Sequence, residues 1–114
     1  MFDVLANNAD RKGGHLLPVA GGHILGVDHG ICFAVDPKLR SVLWGWRGQR
    51  LDDVELAVIE RVCSELNGDL GRSLAEFLSP DEVLATARRA ATLQKQQRFP
   101  QPDPGRPNLP WPPF

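Results

Sequence analysis

The sequence predicts an α+β fold: a glycine-rich first half carrying a β-hairpin, a helical second half and an extended tail. Three observations support this. Short apolar runs separated by glycines occupy residues 1 to about 50. Apolar residues recur four apart from Leu51 onward, the spacing of an amphipathic helix. Seven of the ten prolines fall within residues 100–114, where neither a regular helix nor a central strand can form.

The hairpin comes first. His15-Leu-Leu-Pro-Val19 and His23-Ile-Leu-Gly-Val27 are short apolar runs. Ala20-Gly21-Gly22 between them supplies the positive-φ positions of a tight turn. Ile31-Cys-Phe-Ala-Val35 is a third such run, closed by Asp36-Pro37. Leu39 to Trp46 holds two tryptophans and fits a strand or a short helix equally. If it is a strand, Trp44 and Trp46 share a face and pack in the core.

The helices follow. Val54, Val58, Val62 and Leu66 form a stripe read as core, with Asp52, Asp53 and Glu55 near the positive end of the helix. Asn67-Gly68 stops this helix. Leu70 to Leu78 forms a shorter one. Ser79-Pro80-Asp81-Glu82 starts the last: serine as cap, proline at the first helical position and glutamate three after the cap. It should run to about Gln97. The remaining residues form an extended, largely polyproline II tail. Such a tail either covers its own domain with Trp111 and Phe114, the preferred reading, or docks in a partner's aromatic groove.

Size and charge narrow the function classes. At 114 residues and 12.6 kDa the chain holds one core and no second lobe. Thirteen basic and fourteen acidic residues leave a formal charge of −1, without the basic block that nucleic acid or an anionic membrane surface requires. No apolar run reaches the length of a membrane span, and the amino terminus lacks the features of a secretory signal. Cys32 and Cys63, without CxxC spacing, read as thiols of a reducing cytoplasm rather than a disulfide.

Two polar clusters flank the hairpin: Asn7-Asn8-Ala9-Asp10-Arg11-Lys12-Gly13-Gly14-His15 and Gly26-Val27-Asp28-His29-Gly30. Asp10 and His15 precede the first strand and Asp28 follows the second. Because a hairpin brings its two ends side by side, Asp10, His15 and Asp28 are expected to converge. Phosphoryl transfer needs such a group: a carboxylate to orient or deprotonate a hydroxyl, and two ligands to hold a divalent ion on nucleotide phosphates. In protein kinases the loop carboxylate and first ligand are separated by four residues. The second ligand is the aspartate of an Asp-x-Gly turn. Asp10 with His15, and Asp28-His29-Gly30, repeat that order and spacing.

On these motifs the chain resembles the phosphatidylinositol 3-/4-kinase superfamily. It is most similar to a branch of small actinobacterial proteins, which look alike also along Lys38-Leu-Arg-Ser-Val-Leu-Trp44 and Leu109-Pro-Trp-Pro-Pro-Phe114. The resemblance implies the carboxy-terminal lobe of a protein-kinase-like fold over residues 1–98. That lobe comprises a catalytic loop at 7–15, a metal-binding turn at 26–30 and a helical part at 51–97, with the proline-rich tail over 99–114. It also implies ATP and Mg²⁺ as cofactors and an open choice of lipid, protein or small-molecule phosphate acceptor. By position, Asp10 matches the catalytic aspartate and Lys12 a substrate- or phosphate-binding residue. Asn8 and Arg11 fall to the nucleotide side, and Asn7 or Asn8 holds the loop by side-chain hydrogen bonds to backbone. His15 and Asp28 match the metal ligands.

Two departures stand out. His15 replaces the usual asparagine, and imidazole is a poor oxygen substitute for Mg²⁺; it favours Mn²⁺ or a purely hydrogen-bonding role. The phosphate-binding lysine and glycine-rich loop of the amino-terminal lobe are absent from these 114 residues, whose only lysines are Lys12, Lys38 and Lys95. The expectation is therefore a carboxy-terminal half, from an internal start or a truncated gene, with little or no activity alone. The alternatives are a non-catalytic pseudokinase-like interaction module and, ranked last, a metal-dependent hydrolase using Asp10, His15, Asp28 and His29. Without the resemblance, the Asp10 cluster is a charged turn, His29 a partly exposed turn residue and His23 a structural histidine at a strand start.

Overall fold

A computed structural model describes residues 1–114. Its helices are α1 (Phe2–Ala6), α2 (Asp53–Leu66), α3 (Asp69–Leu74) and α4 (Pro80–Gln96), and its two strands are β1 (Leu16–Pro18) and β2 (Ile24–Gly26). The fold is α+β, with one small antiparallel sheet in the register Leu16↔Gly26, Leu17↔Leu25 and Pro18↔Ile24. Gly21 and Gly22, at φ +84° and +76°, make the hairpin turn where side chains are disfavoured.

The helix starts follow local chemistry. At α2 the Asp52 carboxylate accepts a hydrogen bond from Glu55 N at 2.7 Å. At α4 the Ser79 hydroxyl accepts from Glu82 N while Glu82 accepts from Ser79 N, a reciprocal capping box with Pro80 at the first helical position. Asn7 ends α1 in the left-handed region at φ 53°.

The core lies between α1, α2 and α4. Leu51, Ile59 and Leu93 are its centre, flanked by Val4, Leu5, Leu56, Cys63 and Phe99. This corrects the expected core stripe of α2. Val54 is 73% exposed and Val58 46%, whereas Ile59 is wholly buried. The helix carries apolar residues on two adjoining faces, and contact with α4 selects the Leu56–Ile59–Cys63–Leu66 side. Cys32 and Cys63 are free thiols.

Leu39–Trp46 forms neither a strand nor an α-helix: an isolated bridge of Ser41 to Arg11 precedes a 3₁₀ turn at Trp44–Trp46, with Trp46 exposed rather than in the core. Residues 31–35 form no strand; Phe33 has φ 69°. Their backbone instead serves the first polar cluster: Ile31 O accepts from Ala9 N at 2.9 Å, and Ala6 O accepts from Phe33 N at 2.6 Å. The tail lies along its own domain, but through backbone rather than aromatic rings. Pro110 is buried, Asn108 O accepts from Ser41 N and Trp44 Nε1, and Pro113 O accepts from Gly13 N at 2.8 Å. Trp111 and Phe114 remain 89% and 84% exposed, so they do not cover the domain. No helix is long and apolar enough to cross a membrane.

Candidate functional site

The hairpin closes as its turn chemistry dictates, and its ladder continues one step past the strands, where Val27 N donates to His15 O at 2.9 Å. That step places Asp28 against His15, with His15 Nε2 3.3 Å from Asp28 Oδ2. The Asp28 side chain is largely exposed and the His15 ring mostly covered. Asp28 itself sits at φ 59°, an uncommon backbone for a residue with a side chain.

Of the three expected partners, the structure joins two directly. The Asp10 carboxylate turns to its own loop, where Lys12 Nζ lies 3.8 Å from Asp10 Oδ1. No group of three or more His, Cys, Asp or Glu side chains is close enough to hold a metal ion.

The proton on His15 is set by its surroundings. Lys12 N donates to His15 Nδ1 at 3.3 Å. In the neutral ring Nδ1 is then the acceptor, so Nε2 carries the proton on the side that faces Asp28. A metal at Nε2 would need the other tautomer and would leave the Lys12 amide facing an N–H. The carboxylate of Asp28 suits a hard divalent ion. His15 fits better as the group that orients this carboxylate than as a ligand.

Asn8 and Arg11 point inward. Asn8 is buried, with Oδ1 accepting from Asp10 N at 2.9 Å and Nδ2 donating to Asp3 Oδ1 at 3.0 Å. Arg11 is 2% exposed. Its Nε donates to Asp3 Oδ2 at 2.9 Å, its Nη2 to Asp3 Oδ1 at 2.9 Å and its Nη1 to Val27 O at 2.8 Å. Burial raises the Asp3 carboxyl pKa, but hydrogen bonds from Arg11 and Asn8, with the Arg11 charge, pull it the other way. The net result lies below the usual carboxylate range. The same partnership holds the Arg11 guanidinium above its ordinary value. These side chains are therefore committed within the protein; Lys12 is the cation of the loop that retains solvent access.

Asn7 holds the chain beyond the turn. Its Nδ2 donates to Ala34 O and Asp36 O, and its Oδ1 accepts from Lys38 N. Arg89 of α4 adds bonds to Leu5 O and Ala34 O. Sequence reading missed Asp3, Phe2 and Arg89, because each lies outside the motifs and meets its partner only in three dimensions. His29, exposed at the turn, has its ring 4.8 Å from that of Phe2. His23 precedes β2 and is exposed. Two cavities, of about 350 and 380 Å³, reach Asp3 and Asn7 respectively, but neither is lined by Asp10, Lys12, His15 or Asp28.

The chain is 47% identical over 114 residues to Protein Rv2133c of Mycobacterium tuberculosis, a name that specifies no activity. The match takes in the whole of this chain and 41% of the relative, so the chain spans about two-fifths of that protein's length. No family model and no solved structure matches the chain.

Proposed function

We propose that these residues form the catalytic-loop portion of an ATP-dependent phosphotransferase related to the phosphatidylinositol 3-/4-kinases. The carrying observation is the pairing of His15 and Asp28 at 3.3 Å across the hairpin, with Asp10 and Lys12 on the loop that enters it. In this reading Asp10 orients or deprotonates the acceptor hydroxyl. Lys12 meets phosphate oxygens. Asp28 binds a divalent ion, Mg²⁺ or Mn²⁺, and His15 steadies that carboxylate. The ion, when bound, neutralises charge on the nucleotide phosphates. Asn8 and Arg11 support the loop from beneath rather than touching nucleotide.

A second reading, a non-catalytic pseudokinase-like module, draws support from two observations: Asp10 stands apart from the His15–Asp28 pair, and His15 presents a proton where the kinases present a ligand atom. Titration calorimetry separates the two. The probes are ATP with Mg²⁺ and ATP with Mn²⁺, added to this chain and to full-length Protein Rv2133c. Phosphotransfer predicts metal-dependent ATP binding by the full-length relative, lost in the variant of the residue aligned with Asp28. No heat from the full-length protein with either metal would sink the phosphotransfer reading and leave the module.

A further inference from the structure

We infer that Phe2 and Asp3 of the short helix α1 are positioning residues for Asp28: together they fix the residues on either side of it and so present its carboxylate to His15. The purpose of Asp28 rests on the phosphotransfer reading; the bracing itself is a property of the fold.

The argument begins with what the turn lacks. Residues 17–31 are all exposed, and no strand or helix contains Val27 to Gly30. Asp28 occupies the left-handed region, which costs a side-chain-bearing residue about 1 kcal/mol and persists only where neighbours over-determine it. Little of that determination comes from the turn. The Val27 amide is held by His15 O, but the peptide leading into Asp28 is fixed at its carbonyl, Val27 O, by Arg11 Nη1 at 2.8 Å.

Arg11 can serve as a strut only because Asp3 grips it bidentately through Nε and Nη2, leaving Nη1 to reach the turn. Without Asp3, a buried guanidinium would be unpaired and would turn to solvent, releasing Val27. On the other flank, the Phe2 ring meets the His29 ring at 4.8 Å and 59°, a tilted aromatic packing. One short helix thus clamps residues 27 and 29, and the residue between them is the one whose carboxylate meets His15. Neither Phe2 nor Asp3 belongs to the polar motifs, and neither touches Asp28 itself.

The experiment uses this chain, with ¹⁵N-labelled histidine, as wild type, Asp3→Asn and Phe2→Leu. The first readout is the pair of His15 ring nitrogen shifts, which report whether the Nε2–H tautomer held between Lys12 N and Asp28 persists. The second is hydrogen exchange of the Val27 amide, the one in the turn that is hydrogen-bonded, against that in α4. With the brace, wild type shows one His15 tautomer. Asp3→Asn shows a mixture, with exchange of the Val27 amide at least tenfold faster and α4 unchanged. Phe2→Leu, which keeps the ion pair, shows a smaller effect of the same kind and carries the test if Asp3→Asn does not fold.

A single unchanged tautomer in a folded variant, or exchange that quickens equally in α4, overturns the brace and leaves Asp3 a general stabiliser. Manganese titration of the same samples reads the functional layer separately. Loss of a group that orients a ligand weakens metal binding 10- to 100-fold. If wild type binds no Mn²⁺, the metal role of Asp28 fails while the tautomer and exchange data still decide the brace.

Discussion

Replacing Arg89 with methionine tests how α4 is tied to the candidate site. Arg89 donates through Nε to Leu5 O at 2.8 Å, through Nη1 to Ala34 O at 3.1 Å and through Nη2 to Thr86 Oγ1 at 3.0 Å. Methionine keeps the apolar stem and loses all three. The three losses differ in kind. Ala34 O still accepts from Asn7 Nδ2, and Thr86 still donates to Glu82 O, so each of these costs about 1 kcal/mol. Leu5 O, at the end of α1, loses its donor, and an unsatisfied carbonyl costs about 2 kcal/mol. Against this, burial lowers the Arg89 pKa, the signature of a desolvated cation. Removing that half-buried cation, whose desolvation is partly relieved by solvent screening, returns about 1 kcal/mol. The net loss is about 3 kcal/mol, or roughly 12 °C in melting midpoint for a domain of this size. Urea denaturation followed by circular dichroism measures it, with Arg89→Lys, which can retain one of the three bonds, falling between. A loss under about 1 kcal/mol for Arg89→Met, the level of a single ordinary hydrogen bond, would refute the assignment of Arg89 as a tie between α4, α1 and the segment beyond the turn.

Gly71→Ala should destabilise the chain by about 2 kcal/mol, although alanine is the better helix former, because its Cβ would lie within the Leu66 carbonyl group at the end of α2; a thermal midpoint equal to or above wild type would contradict this. The capping box of α4 has a pH signature. A backbone hydrogen bond from Ser79, followed by one from its side chain, holds Glu82 below its unfolded value of 4.5. A depressed carboxylate contributes stability above pH 4.5 that is lost as pH falls through the folded pKa. Glu82→Gln should therefore differ from wild type more at pH 7 than at pH 3 in chemical denaturation, and a gap that is constant with pH would remove the charge from the account. Ser79→Ala should cost about 1 kcal/mol at pH 7 by the same assay. On the phosphotransfer proposal, His15→Asn places an amide oxygen beside Asp28, so Mg²⁺ affinity measured by calorimetry should rise relative to Mn²⁺; an unchanged ratio would argue against an ion at Asp28.

Much of the local structure was legible in the chain because its signals are local. Ser79-Pro80-Asp81-Glu82 marks the start of α4 to the residue, and Gly21-Gly22 marks the hairpin turn. From the turn alone follows the meeting of His15 with Asp28, since an antiparallel ribbon makes neighbours of its ends. Asp10 was expected in the same cluster but pairs with Lys12, because two residues along a loop are nearer than the far side of a hairpin.

What the sequence determined by itself was the hairpin turn, the three helices of the second half with the capping box of α4, and the pairing across one tight ribbon, all consequences of preferences within a few residues; α1 was not foreseen. Tertiary structure decided which face of α2 is core, since Val54 and Ile59 are equally apolar until α4 arrives to cover one of them. It also decided that Arg11, charged and beside a candidate catalytic aspartate, is an internal strut rather than a surface contact. A buried guanidinium needs an anion, and the anion is Asp3, on a different element and brought close only by the path of the folded chain.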